Sequence, residues 1–552
     1  MNWILGTIIV FILIYLFSNR LRKARNKSIS KSLIEKWGKP KTEKYFDFKL
    51  IESFFQNHKL KKTAYQVISD HTWLDLDMNE VFKFLDRTTS KIGQQYLYFK
   101  IRTITHSSDL KRFGRLTEVF RSNEQLRNAC QLQLTSLSNN KAYFFEEIFR
   151  DKEVQKSQKI WLFRFLSISA IVIIILSFLN STWFLALIPL FFINLIFHYK
   201  NKSSIQMYLS GVGQLATSYR VASEFNSSED IKSFYNDFKY LKNVKSILSN
   251  IRFIEWEKKL DNEYALLFWF ISEIIKITFI LEPILFYSFQ KSLENKKEDL
   301  KQLFIFIGEI DSAISCASVQ TGSDKYCKPK FLKDKLVITD QMYHPLIENC
   351  VPNNLVLDGA SLLLTGSNMS GKTTFIRTFS INAILAQTLN FCFAKKFESP
   401  FFKIYSSIRI ADDLINNTSY YLEEVVRIKE LVDASNSNDH HLFILDELFK
   451  GTNTLERIAA GQSILSYLNR DKHIVMVSTH DLELTDILKN RGYALYHFAE
   501  KIENDKLYFD HKIKPGKPEN GNAIKILELY DYPKEIIEDS VSMSKITLAN
   551  NG

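Results

Sequence analysis

A run of eight residues in the C-terminal half has the composition and spacing of a phosphate-binding loop. It reads Gly366-Ser367-Asn368-Met369-Ser370-Gly371-Lys372-Thr373, the pattern G-x-x-x-x-G-K-[ST]. Residues 362–364 before it are apolar, and residues 374–386 after it are apolar at helical spacing, so the loop lies between a strand and a helix. Backbone N–H groups of the loop and the helix N-terminus would face an anion. Lys372 would reach the β- and γ-phosphates and Thr373 would ligate Mg²⁺, which predicts a nucleotide site.

Two further apolar runs end in polar side chains that suit the same chemistry. Residues 442–445 are followed by Asp446 and Glu447, and residues 475–477 lead to His480. In P-loop enzymes the first carboxylate holds Mg²⁺, and the second can orient the attacking water. A histidine at this edge can contact the γ-phosphate or that water. The predicted catalytic residues are Lys372, Glu447 and His480, and the predicted metal ligands are Thr373 and Asp446.

The overall composition allows large, mostly helical domains. The chain has 552 residues, of which 46% are hydrophobic, and it contains only 17 Gly and 10 Pro, which argues against long disordered regions. The formal net charge of +11 suits nucleic acid or an anionic membrane surface and is specific to neither. The five cysteines are scattered and form no C-x-x-C pair, so a reducing compartment fits better than a disulfide framework or a zinc site.

The N-terminal segment has the pattern of a membrane anchor. Residues 3–17 carry no charge, and five basic side chains then follow within residues 20–27. A helix of 15 residues is about 22 Å long, somewhat less than the ~30 Å hydrocarbon core of a bilayer. No basic region precedes the apolar run and no small-residue cleavage site follows it, which disfavours a cleaved signal peptide. The basic flank places the C-terminal side in the cytoplasm.

A second apolar region, residues 160–197, predicts two membrane passes. Its only charged residue is Arg164, and its 38 residues would extend about 57 Å as a helix. The triplet Asn180-Ser181-Thr182 and Pro189 each offer a break, and the polar triplet is the preferred turn; both outer flanks carry lysines. We therefore expect a helical hairpin with both ends in the cytoplasm. Together with the N-terminal anchor, this predicts a multi-pass protein of the cytoplasmic (inner) membrane.

A third apolar stretch, residues 264–289, contains Glu273, Lys276 and Glu282. Ionisable residues in the middle of a span cost about 2.5–3.5 kcal/mol each on insertion scales. We therefore expect this stretch to be a buried helix of a large soluble core.

The fold class predicted is multidomain, with an α-helical core and lever region that carries transmembrane helices, followed by an α/β P-loop ATPase domain. From residue 335 onward short apolar runs alternate with helical segments, which is typical of α/β folds with a central sheet. The runs are residues 336–338, 355–357, 362–364, 404–410, 442–445 and 474–477. The expected regions are an anchor at 1–19, a basic juxtamembrane segment at 20–59, a helical region at 60–330 with the hairpin at about 160–198, and the ATPase domain at 331–552.

The segment between the P-loop and Asp446 separates two classes of ATPase. A transporter subunit of the ABC class would carry an L-S-G-G-Q-like signature there, whereas this chain has residues 412–424, Asp-Asp-Leu-Ile-Asn-Asn-Thr-Ser-Tyr-Tyr-Leu-Glu-Glu. The Gly-Gln-Ser triplet at 461–463 comes after Asp446 and is therefore in the wrong place. An ABC transporter subunit is disfavoured.

The motifs instead resemble those of the MutS family of ATPases. Residues 365–374 resemble that family's T-G-P-N-M-x-G-K-S-T, and residues 446–454 resemble D-E-[IL]-x-x-G-T-x-[ST]. Thr479-His480 matches the family's T-H, while Ser419 and Glu424 fit its S-x-F-x-x-E segment. In the helical region, residues 86–93 resemble the core-domain pattern D-R-T-x-T-x-x-G. The resemblance extends over about residues 70–540, interrupted by the apolar hairpin, and residues 521–537 resemble the closing segment through which such ATPases dimerise.

The resemblance implies a homodimer that binds and hydrolyses ATP with Mg²⁺ and moves helical arms. Each nucleotide would lie between two ATPase domains, with Ser419 completing the site of the partner subunit. The residues expected to bind the nucleotide are Gly366, Ser367, Asn368, Met369, Ser370, Gly371, Lys372, Thr373, Thr374 and Ser419.

The departures from the family pattern bear on what the arms hold. The chain has no room for the mismatch-reading and connector domains, and no nuclease domain follows Pro533. Asn417 stands where the signature segment usually has Gly, and Cys350-Val351 where the family often has an aromatic residue against adenine. Two functions of the arms stay open. In the first, the arms bind DNA at the membrane, as those of mismatch-repair relatives would. In the second, they bind a membrane or an unidentified protein partner and no DNA.

Overall fold

The computed structural model describes residues 2–43, 45–56, 59–150, 160–200, 202–248, 265–367, 370–409, 420–449, 453–470, 472–503, 506–518, 527–528, 530 and 532–550. The chain forms two compact units. The helical unit comprises Met1–Lys62, Leu85–Lys100 and Arg112–Gly322, and the sheet unit comprises Thr63–Phe84, Ile101–Lys111 and Ser323–Gly552. The predicted regions follow chain order, whereas two short segments before residue 112 pack with the sheet unit rather than with the helices around them.

The N-terminal region of the chain is mostly helical. In chain order the α-helices are α1 (Asn2–Lys36), α2 (Phe48–Ile51), α3 (Ser53–Gln56), α4 (Asp70–Asp75), α5 (Met78–Leu85), α6 (Lys91–Arg102), α7 (Ser107–Ser122), α8 (Glu124–Leu134), α9 (Ile160–Leu179), α10 (Leu187–Lys200), α11 (Lys202–Ser227), α12 (Glu229–Lys232), α13 (Lys239–Leu248), α14 (Ala265–Thr278), α15 (Leu281–Leu293) and α16 (Lys297–Thr321). Short 3-10 helices cover Lys59–Thr63, Thr135–Leu137, Asn140–Ile148, Ser181–Ala186 and Glu294–Lys296.

Helix α16 is the central helix of the helical unit. It is long and apolar enough to cross a membrane, but 89% of its most apolar window is buried within the protein. Phe304 stacks on Phe54 with ring centroids 4.3 Å apart. The D-R-T motif packs here: the Arg87 N–H donates to Ser315 Oγ at 2.8 Å, and Asp311 accepts hydrogen bonds from the backbone and hydroxyl of Ser90 at 2.7 and 2.6 Å. This motif therefore has a structural role in seating α16.

The apolar region at 160–197 folds as two helices with a turn at the predicted triplet. Helix α9 ends at Leu179, and the Asn180 side chain accepts from the Thr182 N–H at 3.1 Å, which caps the following 3-10 turn. Only 17% of the apolar window in Ile160–Leu179 and 11% of that in Ser181–Lys200 is buried. Both helices are long and apolar enough to span a bilayer. The first predicted anchor lies in α1, and the side chains of its residues 1–15 fall outside the described set.

The expectation of one buried helix at 264–289 is wrong. The described part of this stretch forms two helices, α14 and α15, and Phe270 and Ile274 on α14 are 58% and 40% exposed. The charged residues that motivated the expectation pair with one another. Lys276 Nζ lies 3.8 Å from Glu273 Oε2 and 3.5 Å from Glu282 Oε1, so their charges are offset locally.

The sheet unit contains two main sheets. The strands are β1 (Gln66–Val67), β2 (Thr103–Ile104), β3 (Lys330–Leu332), β4 (Leu336–Met342), β5 (Asn353–Asp358), β6 (Ser361–Thr365), β7 (Lys396–Pro400), β8 (Phe402–Ser407), β9 (His440–Asp446), β10 (Ile474–Ser478), β11 (Tyr493–Glu503) and β12 (Lys506–Pro515). Its later helices are α17 (Lys372–Leu389), α18 (Tyr420–Ala434), α19 (Thr454–Leu468), α20 (Glu483–Lys489) and α21 (Lys534–Asn550). The six-stranded sheet has the order β12-β11-β6-β10-β9-β8, and the four-stranded sheet β3-β7-β4-β5.

The register of the larger sheet brings three strand ends to one edge. Its strands from β11 to β8 are parallel, and Ser478 in β10 is in register with both Leu364 in β6 and Asp446 in β9. Every residue of β6 and β10 is buried, as expected for strands covered on both faces. The carboxyl ends of β6, β9 and β10, where the predicted site residues lie, are therefore neighbours.

The predicted α/β organisation is confirmed, with some strand bounds corrected. Each of the six apolar runs lies on a strand, but β8 ends at Ser407 rather than at residue 410, which lies outside the described residues. Strands β3, β7, β11 and β12 were not predicted. They carry many charged residues and sit at or near sheet edges, where one side of the strand faces solvent.

Candidate nucleotide site

The loop between β6 and α17 needs its two glycines. Gly366 and Gly371 have φ values of 138° and 110°, which side-chain-bearing residues rarely adopt. A Cβ at Gly366 would lie 2.9 Å from both Phe498 O and Ser370 Oγ. Ser370 Oγ donates to Ser367 O at 2.7 Å and closes the turn. Asn368 and Met369, two predicted contacts, lie outside the described residues.

Lys372 places its ammonium at the mouth of the loop. Its Nζ donates to Gly366 O at 2.6 Å and to Ser367 O at 2.9 Å, and the residue is only 3% exposed. Helix α17 begins at Lys372, so its free N–H groups and the ammonium face the same space. This concentration of positive potential suits a polyphosphate.

Two oxygen donors predicted as metal ligands are brought together. Thr373 Oγ1, in the first turn of α17, donates to Asp446 Oδ2 at 2.9 Å. The other Asp446 oxygen accepts a hydrogen bond from Ser478 Oγ at the end of β10. The Asp446 carboxylate is therefore fixed from two sides, with one oxygen shared with Thr373.

The side chains of Glu447 and His480 lie close to each other, next to Asp446. His480 Nδ1 lies 3.3 Å from Glu447 Oε1, and the Glu447 N–H donates to Ser478 O at 2.9 Å. Glu447 has a φ of 52°, an uncommon value for a residue with a side chain and one that often marks functional sites. The Glu447 side chain is 12% exposed and that of His480 is 51% exposed. Hence the carboxylate sits below an accessible imidazole.

An ion pair between Arg457 and Asp481 lies next to His480. Arg457 Nε and Nη2 donate to the two Asp481 oxygens at 3.1 and 2.7 Å, and these hydrogen bonds raise the pKa of Arg457. Asp481 Oδ1 is 3.9 Å from His480 Nε2. This bidentate pair fixes the loop that carries His480.

Glu424 contacts the segment of the same chain that follows Glu447. It is 2% exposed, and its Oε1 accepts from the Phe449 N–H at 2.5 Å. Phe449 also has a positive φ, 56°. The motif residue Glu424 therefore holds the turn after the two carboxylates, while Ser419, its partner in the motif, falls outside the described residues.

A cavity of about 350 Å³ adjoins the loop, with Gly371 and Thr374 in its wall. Such a volume is at the lower end for small-molecule pockets, roughly 300–1,000 Å³. Cys350 lines the cavity, as the sequence suggested, but so do Phe498 of β11 and His511 of β12. His511 Nδ1 lies 3.1 Å from Ser370 O.

Phe498 and His511 were not predicted from the sequence. They lie far along the chain from the glycine-rich loop and belong to two strands that the apolar pattern did not reveal. The only local signal is the aromatic and histidine alternation of Phe509 and His511, which stack with ring centroids 6.0 Å apart. Only the sheet order brings them to the cavity.

A salt-bridge network ties an upstream segment to the same unit. Asp75, 1% exposed, accepts the N–H groups of Ile408 and Arg409 at 3.0 and 2.9 Å. Asp77 pairs with Arg409 at 2.6 Å and with Arg377 of α17 at 3.2 Å. Asp77 thus links the segment that follows β8 to helix α17.

The donor set fits a nucleotide with Mg²⁺. A threonine hydroxyl and a carboxylate are hard oxygen ligands, and Mg²⁺ commonly takes only one or two of these from the protein and keeps water and phosphate oxygens. Among the described residues no group of three or more His, Cys, Asp or Glu is placed to hold a metal by itself. Ser367 Oγ is buried and has no hydrogen-bond partner within the described part of the chain, so it can bind a phosphate oxygen.

Comparison with known proteins points to one family for this region. Residues 362–547 match the family model for MutS domain V. The chain is 33% identical over 269 residues to the DNA mismatch repair protein MutS of Listeria welshimeri, 32% over 271 residues to that of Bacillus subtilis and 31% over 274 residues to that of Staphylococcus epidermidis. Each alignment covers 47% of this chain, and the matched part is 31%, 31% and 30% of the respective relative. The resemblance to MutS deduced from the motifs is confirmed for the C-terminal half.

Proposed function

We propose that this MutS-like chain is a membrane-anchored ATPase that binds and hydrolyses ATP as a homodimer. The observation that supports this most is the convergence of Lys372, Thr373, Asp446, Glu447 and His480 at one edge of the larger sheet. The relatives are named as DNA mismatch repair proteins, and the chain spans less than a third of their length. The ATPase part of the proposal therefore rests on the matched half of the chain.

Each residue at this edge of the sheet would have a separate role in ATP hydrolysis. Mg²⁺ held by Thr373 and Asp446 would neutralise charge on the phosphates. Lys372 would exchange its two loop carbonyls for phosphate oxygens, so its ammonium stays hydrogen-bonded throughout and gains an anionic partner. Glu447 orients the attacking water and accepts its proton, and His480 holds the Glu447 carboxylate in place from the accessible side. Most of the rate enhancement would come from positioning and electrostatic stabilisation.

The hairpin supports the membrane part of the proposal. The exposed surface of α9 and α10 is apolar, and a soluble protein rarely exposes a contiguous apolar area of that kind. A bilayer is the environment in which two such helices are stable. In this arrangement the lysines flanking 160–200 stay in the cytoplasm, together with the ATPase unit.

Replacing Glu447 by Gln tests the ATPase proposal. The variant keeps the shape of the side chain and removes the base, so we expect ATP binding within about threefold of wild type and turnover reduced by roughly 10²–10³-fold. Glu430, exposed on α18, gives the matched control Glu430→Gln, which should hydrolyse ATP at the wild-type rate. Normal turnover by Glu447→Gln would remove Glu447 from the mechanism.

The hairpin favours a second function in which the ATP-driven movement is transmitted to a membrane or protein partner. This function is favoured over DNA binding. A salt series of DNA binding by the detergent-solubilised chain, with and without ATP, separates the two. DNA gripped through phosphates should bind with an affinity that falls steeply with salt. Absence of binding at low salt would eliminate the DNA-binding function and leave the membrane or protein partner.

A further inference from the structure

Helices α14 and α15 pack against the two ends of the hairpin that carry its lysine flanks. The Phe163 ring lies 5.8 Å from that of Phe197 and 5.9 Å from that of Tyr287, measured between centroids. Ile280, between α14 and α15, is fully buried in a cluster with Phe163 and Leu166. The two short helices therefore share one apolar core with α9 and α10.

The helix is interrupted between α14 and α15, and a backbone carbonyl at the break is satisfied by a protein side chain. Ile280 has a φ of 49°, which is unusual for a β-branched residue and marks a sharp break. Asn194 of α10, itself fully buried, donates from Nδ2 to Thr278 O at 2.7 Å. A carbonyl freed by the end of a helix needs such a partner wherever water is absent.

The ionisable side chains of this pair face the hairpin. His198 of α10 is 1% exposed, and its Nε2 lies 3.4 Å from Glu273 Oε1 and 3.8 Å from Glu282 Oε2. Lys276 approaches both glutamates. Side-chain exposures of 12% for Glu273, 17% for Lys276 and 21% for Glu282 show that the cluster turns inward.

The opposite face of α14 is apolar and uncovered within the described residues. Its exposed side chains are Phe270, Ile271, Ile274 and Ile275, at 58%, 47%, 40% and 44%. Their spacing places them on one side of the helix. The neighbouring helix α10 also exposes apolar side chains, with Ile193 at 44% and Ile196 at 66%. A helix at the surface of a soluble protein turns its charged side chains to the solvent and its apolar side chains to the core. Helix α14 has the reverse arrangement.

The helical rise gives the depth of the break. Leu166, which contacts Ile280, is six residues beyond the start of α9, or about 9 Å along its axis. Leu190, packed against the same cluster, is ten residues before the end of α10, or about 15 Å. Half of the ~30 Å hydrocarbon core is about 15 Å, so the break lies in the inner part of one leaflet and reaches at most the bilayer midplane.

We propose that α14 and α15 form a re-entrant helical pair whose isoleucine-rich face contacts the acyl chains of the cytoplasmic leaflet, while its ionisable side chains are closed against His198 and Asn194. This inference rests on the proposed membrane location of α9 and α10. Only Glu294–Lys296 separates α15 from α16, so the pair connects the bilayer directly to the central helix of the helical unit.

Spin labels at single cysteines in the full chain test the pair. In a background with Cys327→Ser and Cys350→Ser and reconstituted into phospholipid nanodiscs, labels are placed at Ile274 and Ile275. Ile168, exposed on α9 about 12 Å from its start, reports the hairpin, and Lys242, exposed on α13, reports water. The measurement is the ratio of collision rates with oxygen and with a water-soluble nickel chelate. The four labelled side chains are exposed, so the labels should not disturb folding.

We expect the oxygen-to-nickel ratio at Ile274 and Ile275 to be several-fold above that at Lys242. A water-like ratio at Ile274 and Ile275 with a lipid-like ratio at Ile168 would overturn the re-entrant pair and leave the hairpin in the membrane. Water-like ratios at all of these positions would overturn the pair and the membrane location together.

Discussion

Helices α9 and α16 are both long and apolar enough to cross a membrane, yet they lie in opposite surroundings. The best window of α9 has a mean hydropathy of 2.5 and is 17% buried, whereas that of α16 has 1.4 and is 89% buried. Helix α16 carries Glu309 and Asp311, each bonded within the fold: Arg112 donates to both Glu309 oxygens at 2.7 and 3.0 Å. The only charged residue of α9 is Arg164, near its start. A core helix is therefore distinguished from an outward-facing helix by whether its polar side chains have hydrogen-bond partners within the fold. Hydropathy alone distinguishes them less well.

A charged side chain introduced into α16 should have the largest effect on stability. Ile307 is fully buried, so Ile307→Arg leaves an unpaired guanidinium in the core and should cost about 4–5 kcal/mol or more, enough to unfold the helical unit. Thermal unfolding in detergent measures this. Gln302→Arg, on the exposed side of the same helix, should melt near wild type. A stable Ile307→Arg protein would mean that α16 is not a core helix.

The same charge on α9 should act on insertion rather than on folding. Ile175 is 57% exposed, so Ile175→Arg in detergent should melt like wild type. Insertion should become less favourable by about 2.5–3.5 kcal/mol, because the arginine enters hydrocarbon. The fraction of protein that resists alkaline extraction from membranes reports this, with Ile175→Leu as control. Unchanged extraction for the arginine variant would argue that this face of α9 does not touch lipid.

The titration of Asp311 on α16 should have the smallest effect on stability. This effect should appear as a dependence of the unfolding free energy on pH. Burial raises the pKa of its carboxyl to about 6, although hydrogen bonds from Ser90 and Thr89 oppose the shift. A carboxyl whose pKa is higher in the folded than in the unfolded state stabilises the fold when protonated. This contribution is complete below about pH 4 and is lost as pH rises through 6.

Between pH 5 and 7 the loss amounts to about 1.4 kcal/mol of unfolding free energy. Denaturant unfolding at several pH values, compared between wild type and Asp311→Asn, isolates it. The variant will be less stable at every pH because it loses an acceptor, but its stability should depend less on pH in this window. Equal slopes would show that Asp311 does not titrate there.

The proximity of the candidate site residues could be predicted from sequence because most of them lie in short contiguous motifs. Lys372 and Thr373 follow the loop directly, and Asp446 and Glu447 adjoin each other, so strand order alone brings them together. Phe498 and His511 could not be predicted, since only the arrangement of β11 and β12 places them at the cavity. The role of each predicted site residue stays a prediction until activity is measured.

The error at 264–289 has a similar origin. The sequence showed Glu273, Lys276 and Glu282 in an apolar stretch, and unpaired charges there would be costly. Their partner His198 and the capping Asn194 lie about 80 residues earlier, and no local pattern connects them. The composition of α9 and α10, by contrast, is a property of the segment itself, so the hairpin and its turn could be predicted.

The central claim is that ATP is hydrolysed in a dimer whose sites each combine Lys372 of one subunit with Ser419 of the other. Lys372→Ala and Ser419→Ala proteins should each be inactive alone. Mixed in equal amounts and allowed to exchange subunits, half of the dimers are hybrids with one complete site. ATP turnover should then return to about one quarter of the wild-type rate. A mixture as inactive as its two components would contradict the shared site and, with it, this account of the protein as a dimeric ATPase.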